Sequence, residues 1–258
     1  MGVTTQALEQ SKIGLMNVAF QIPFSSADHH VASEALDATY EAIPEMREEF
    51  DRRGVRLLTA WALDRYVLMS KTPLNSLDDF SGKKIGGIGP NLPWIRAGGA
   101  VGVVASFATV YNDMKSGIYE AMLSTPMGSL ATRLHEVAPY IIEPGIGAVA
   151  NIIVIFNRDR WDSLPPEVQS AIQVGVRKWE DAYLARVDAG LQAAMDKMTQ
   201  EGATVIRWAP EESARWARSL PPLGLGFAKD SASQKVLSTY LDTMRQAGVT
   251  FLRDWDKQ

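Results

Sequence analysis

Ala148-Val149-Ala150-Asn151-Ile152-Ile153-Val154-Ile155-Phe156 is the longest apolar run in the chain, and a single amide, Asn151, breaks it. The run is too short for a membrane-spanning helix, which needs about 20 residues. Its β-branched residues fall on both faces, the pattern of a central strand covered by helices on either side. An α/β architecture follows. An amide inside such a strand must find hydrogen-bond partners, either a bound ligand or neighbouring backbone.

On the C-terminal side, Pro165 to Gly202 reads as one long helix without internal proline, capped by Ser163. Ala203 to Trp208 is then a strand, and Pro210–Leu220 and Ser231–Ala247 are helices. Such a long helix either braces two parts of the molecule or offers an apolar stripe for dimerisation.

On the N-terminal side, Thr5 to Gly14 has helical character, and Leu15 to Phe20 reads as a buried strand ending before Pro23. Ala32 to Arg53 is helical and split at Pro44, with Gly54 as its terminating glycine. Val55 to Ala62 is a strand. Ser76 with Asp79 forms a capping box, and Gly82 closes that turn. Lys83 to Ile88 is a strand, Pro93–Gly99 and Tyr111–Gly117 are short helices, and Ile118 to Ser124 returns to the sheet. The alternation of strands and helices predicts a largely parallel sheet.

Composition narrows the function. The 258 residues are 46% hydrophobic and 22% charged, an ordinary globular balance. A formal charge of −4 gives no footprint for nucleic acid or anionic lipid. The absence of cysteine removes disulfides, thiolate chemistry and cysteine-ligated metals. Nothing at the start resembles a signal peptide, which implies either cytosolic residence or an export signal outside this sequence.

Catalytic motifs are sparse. His29, His30 and His135 are the three histidines, and none stands in a ligand spacing such as H-E-x-x-H, so no metal or cofactor is expected. Asp28 before the histidine pair is either an acid–base group or a helix cap. Gly86-Gly87-Ile88-Gly89-Pro90 follows a strand, but its proline suits a phosphate-binding turn poorly.

Ligands in open α/β folds gather at strand ends. That rule selects the side chains at or just past Phe20, Trp61, Ile88 and Ser124 and in the middle of the 148–156 strand, which brings in Asn91 and Met127 and makes Asn151 the sharpest single case.

Several segments in order carry a resemblance. Asp78-Asp79-Phe80-Ser81-Gly82-Lys83-Lys84-Ile85, Val110-Tyr111 with Met114, Gly117 and Ile118, Leu134-His135-Glu136-Val137-Ala138-Pro139-Tyr140, and Asn157-Arg158-Asp159-Arg160-Trp161-Asp162-Ser163-Leu164-Pro165 together resemble the solute-binding proteins of tripartite ATP-independent periplasmic (TRAP) transporters. The resemblance implies a two-lobed clamp with interleaved chain, a long bracing helix, and a small organic solute held between lobes and passed unchanged to membrane permease subunits from a periplasmic location.

It further implies lobes of about 1–64 plus 152–205 and 65–151 plus 206–258, and that an N-terminal strand and helix precede Gly2 in relatives. The family's carboxylate-gripping arginine falls on Gly86, so Arg65 or Arg96 would have to replace it, or the solute is less acidic or unusual and held by aromatic walls such as Trp94 and Tyr66 and by Asn151. Two other readings stay open: an α/β enzyme using Asp28, His29 or Glu120, and a sensor that has lost its pocket.

Overall fold

The computed structural model describes residues 1–5, 12–26 and 28–257. Its strands are β1 (Gly2–Thr5), β2 (Val55–Ala62), β3 (Val67–Ser70), β4 (Lys84–Gly87), β5 (Val101–Val104), β6 (Ala121–Ser124), β7 (Tyr140–Glu143), β8 (Asn151–Asn157) and β9 (Thr204–Arg207). Its helices are α1 (His29–Ala42), α2 (Pro44–Asp51), α3 (Leu92–Ala97), α4 (Val110–Ser116), α5 (Pro126–Ala131), α6 (Arg158–Asp162), α7 (Pro166–Gln200), α8 (Pro210–Ser219), α9 (Leu223–Phe227) and α10 (Ser231–Gln246).

The strands form two sheets, one ordered β1-β8-β2 and the other β5-β4-β6-β3-β7-β9. The opening apolar run does supply the central strand of the first sheet. That sheet is antiparallel throughout, and β3 is antiparallel to both of its neighbours in the second. Only β4–β5, β4–β6 and β7–β9 run parallel.

The expectation of a largely parallel sheet is therefore corrected. The chain leaves one sheet after β2, enters the other at β3, and returns between β7 and β8. Local alternation of strand and helix does not set strand direction across such a change of sheet.

Three large apolar clusters cover the faces, beside a small one of Ala32, Ala62 and Ala148. The largest joins Leu57 and Ile153 of the first sheet to Leu68, Ile85 and Leu123 of the second, with Val236 and Tyr240 of α10. A second places Met195 and Met198 of α7 against Val67, Met69, Met122 and Ile141. A third packs Val176 of α7 on Leu58, Trp61 and Val154. The 35 residues of α7 span about 50 Å, so one helix reaches both sheets and braces them.

Several local readings hold. The helix pair splits at Pro44, because proline is tolerated at a first turn but not inside a helix. Gly54, Gly82 and Gly202 all adopt positive φ where a turn closes. Ser76 and Asp79 form the capping box.

Others do not hold. Leu15–Gln21 is a 3-10 helix rather than a strand, with Met16 to Phe20 all buried and the Asn17 amide donating to the Ile13 carbonyl. A run buried all round has no exposed face from which a period can be read. Gly2–Thr5 is a strand, so Thr5 does not begin a helix; residues 6–11 of that expected helix lie outside the described residues. Ser163 ends α6 instead of capping α7, whose cap position is Pro165.

Candidate solute-binding site

Two chain segments cross between the sheets side by side. Leu63 N donates to Ala150 O at 2.7 Å and Tyr66 N to Gly147 O at 3.0 Å. A third segment closes on them: Phe24 N donates to Ile146 O, and Ala148 N to Ser26 O, both at 2.7 Å. Gly147 has φ +93°, and a Cβ there would lie 2.2 Å from the Ser26 carbonyl oxygen, so only glycine permits this approach.

Phe20, Tyr66 and Trp94 converge at this seam. The Phe20 and Trp94 rings are 5.7 Å apart, and Tyr66 meets Trp94 edge-on at 6.2 Å and 82°. Phe20 comes from the 3-10 helix, Tyr66 from the β2–β3 crossing and Trp94 from α3, and all three are buried. The Trp94 carbonyl accepts from Trp216 Nε1 at 2.9 Å, while its own indole N–H has no partner.

Asn91 is wholly buried beside them. Its amide makes no hydrogen bond of ordinary geometry. It does lie near enough to the Tyr66 hydroxyl to oppose, in part, the upward push that burial exerts on that phenol. A buried amide and a buried indole N–H without well-formed partners are costly, and polar groups of a solute would satisfy them.

Asp64, on the same crossing, is a residue that strand-end reasoning missed. It is 3% exposed, and its Oδ2 accepts from Met127 N at 3.0 Å. Burial raises its pKa, opposed by that backbone N–H and by the Thr125 hydroxyl. Met127 thus meets the seam through its backbone, while its side chain lies against Gly190 of α7. The only sequence signal for Asp64 was a charge next to the end of an apolar strand.

The remaining expected residues lie elsewhere or apart. Asn151 is fully buried and opposite Ala62, where β8 leaves the crossing. Trp61 points to the other face of its sheet, packing on Trp179 and Tyr183 of α7 at 5.3 Å each. Arg65 pairs with Glu143 at 2.6 Å, and Glu143 also holds Arg207 at 2.8 Å. These three residues line a 480 Å³ cavity beside α7 and β9. Tyr66 thus joins the aromatic group, while its neighbour Arg65 on the crossing is drawn to Glu143.

The sequence profile of the bacterial extracellular solute-binding proteins, family 7, matches residues 1–230. The chain belongs to this family. It is 22% identical over 207 residues to the C4-dicarboxylate-binding periplasmic protein DctP of Rhodobacter capsulatus, covering 79% of this chain and 61% of that protein. The chain thus spans about three-fifths of the length of that curated relative.

Solved structures share the fold. The periplasmic ectoine-binding protein of the TeaABC TRAP transporter from Halomonas elongata superposes with a TM-score of 0.85 at 20% identity, over 95% of this chain and 81% of the other. A TRAP solute-binding protein from Xanthobacter autotrophicus Py2 with bound β-D-galacturonate gives 0.81 at 18%, over 94% and 79%. The architecture is the two-lobed clamp of these proteins.

Two positions of this family-7 chain bear on the solute. A side chain at Gly86, where the resemblance placed an arginine, would be tight: its Cβ would come within 3.1 Å of the Tyr119 ring, which would have to give by a few tenths of an ångström. Arg96 is exposed on α3. The acid–base set of the enzyme reading is dispersed as well: Asp28 caps α1, and Glu120 accepts from Lys83 Nζ and Lys84 N at 3.3 and 3.2 Å.

Proposed function

We propose that the chain is the solute-capturing part of a TRAP-type secondary transporter, acting in the periplasm and handing an unaltered small organic solute to membrane permease subunits. The observation that carries this is the meeting of Phe20, Tyr66 and Trp94 at the seam between two sheets, with Asn91 buried beside them. No helix among the described residues is long and apolar enough to cross a membrane, which suits a partner that meets its permease from outside the bilayer.

The lobe division follows the crossing, at about 64/65 and 151/152. Unlike the expected division at 205/206, the proposed one puts all of β9, which pairs with β7, in the second lobe and α10, which packs on α1, in the first. Opening about the crossing would part the aromatic residues and admit the solute.

The proposed solute is compact and weakly acidic, zwitterionic or neutral. Aromatic faces bind apolar surface and cationic groups, and the Asn91 amide and Trp94 N–H supply directional contacts. Both candidate arginines lie away from the aromatic group, and Gly86 cannot be replaced by one without moving Tyr119. A thermal-shift series on the intact chain tests this. Small zwitterionic and neutral solutes should raise Tm; strong stabilisation by C4-dicarboxylates alone would refute the proposed preference.

A further inference from the structure

Two adjacent histidines meet an aspartate 158 residues away where the first turn of α1 touches α7. His30 Nε2 is 3.2 and 3.0 Å from the two carboxylate oxygens of Asp188, and His29 Nε2 is 3.2 Å from Oδ1. The two imidazole rings lie 4.5 Å apart, tilted by 34°. One ligand atom from each of the three residues can be chosen so that all lie within 4.8 Å of one another. We propose that His29, His30 and Asp188 form a binding site for Zn²⁺ or a closely similar first-row divalent transition metal.

The ordinary alternative is a pair of histidine–aspartate ion pairs. His30 fits that description, being hydrogen-bonded to the carboxylate. His29 does not. Its side chain is 9% exposed, and its Nε2 has no hydrogen-bond partner even though Asp188 Oδ1 is 3.2 Å away, because the direction is wrong. A buried ring nitrogen facing a carboxylate off the hydrogen-bond axis is oriented as a metal ligand would be. A dication between the three groups would take the lone pairs of both nitrogens and one carboxylate oxygen.

The geometry is near what tetrahedral zinc requires. Zn–N and Zn–O bonds of about 2.0–2.2 Å place adjacent ligand atoms about 3.3–3.5 Å apart. Both imidazole nitrogens stand 3.2 Å from the same oxygen, Asp188 Oδ1, a separation that needs to open only slightly, and one ligand atom from each residue lies within 4.8 Å of the others. Two imidazoles and one carboxylate suit zinc better than Mg²⁺ or Ca²⁺, which favour all-oxygen shells. Asp188 is half exposed, so water can supply the fourth ligand.

The supporting groups are in place. Asp28 accepts from His30 N at 2.8 Å and Val31 N at 3.3 Å, which fixes the turn that aims both imidazoles at α7. Asp64 lies close enough to His29 to interact with it electrostatically. The only other histidine, His135, is paired with Glu201 about 20 Å further along α7, so the two-imidazole site is single. Metal there would tie α1 to the bracing helix. The inference is independent of the solute reading.

The test uses the whole chain without a polyhistidine tag, stripped with EDTA and titrated with Co²⁺ as a spectroscopic probe. The expected result is a visible absorption of the intensity seen for tetrahedral Co²⁺, displaced by one equivalent of Zn²⁺, with a Zn²⁺-dependent rise in Tm of a few degrees. His30→Gln and Asp188→Asn, both at solvent-accessible side chains, should each weaken Zn²⁺ binding by about tenfold or more and shrink the Zn²⁺-dependent rise in Tm measured against the same variant in EDTA. Asp196→Asn, on the same helix outside the cluster, should bind as the parent does. Absence of the cobalt absorption, or binding indifferent to His30→Gln and Asp188→Asn, would overturn the site.

Discussion

Asp37 shows how one side chain can be set against its surroundings. It shares the guanidinium of Arg177 with Glu180, at 3.0 and 2.9 Å, and Glu180 also accepts from the Thr59 hydroxyl at 2.5 Å. Burial first, and the neighbouring Glu180 charge second, lift the Asp37 pKa to about 6 against an ordinary value of 3.8. A carboxyl whose folded pKa is raised favours the folded state below 3.8, and that contribution is lost as pH rises through about 6.

Comparing the parent with Asp37→Asn by urea unfolding between pH 7 and 4 isolates the effect. The parent should gain roughly 1 kcal/mol relative to the variant on acidification, a figure reduced for the partial exposure of the side chain. Parallel pH profiles would mean that Asp37 remains charged throughout. The residue types for such a cluster are visible in sequence, but the joining of α1 to α7 across 140 residues is not.

At the level of elements, α7 contains one evident weakness. Gly175 is exposed in mid-helix, and a Cβ there would meet nothing within 4 Å. Alanine removes backbone freedom from the unfolded chain at no steric cost, so Gly175→Ala should stabilise by about 0.5–1 kcal/mol. Chemical denaturation would detect it as a higher midpoint at unchanged m; a lower midpoint would show that α7 is not helical there.

Element boundaries tracked the chemistry of their ends. Pro44, Gly54, the Ser76–Asp79 box and Gly202 each enforce a local conformation whatever surrounds them. The short helix α6 and the 3-10 helix at Leu15–Gln21 escaped because neither shows a distinctive period, one being five residues long and the other buried on all sides.

The molecule as a whole has a core that does not stop at the lobe boundary. Apolar residues of both sheets, α10 and the Phe20–Tyr66–Trp94 group form one continuous cluster. Calorimetry should therefore record a single cooperative unfolding transition. Trp94→Ala should lower stability by about 3–5 kcal/mol without splitting that transition. Two resolved transitions in the parent would show that the sheets unfold separately, and that the seam is a weak contact.

Sequence alone determined the α/β class and the extent of most helices and strands, while the two-lobed plan came through its family resemblance. The class and the elements follow from short-range rules, since caps, prolines and side-chain periodicity act within a few residues. Only tertiary structure decided strand direction, the diversion of Arg65 to Glu143, the filling of the Gly86 flank by Tyr119, and the meeting of His29 and His30 with Asp188. Each depends on which distant segments the crossing between sheets brings together, and that choice minimises the energy of the whole packed core rather than of any stretch within it.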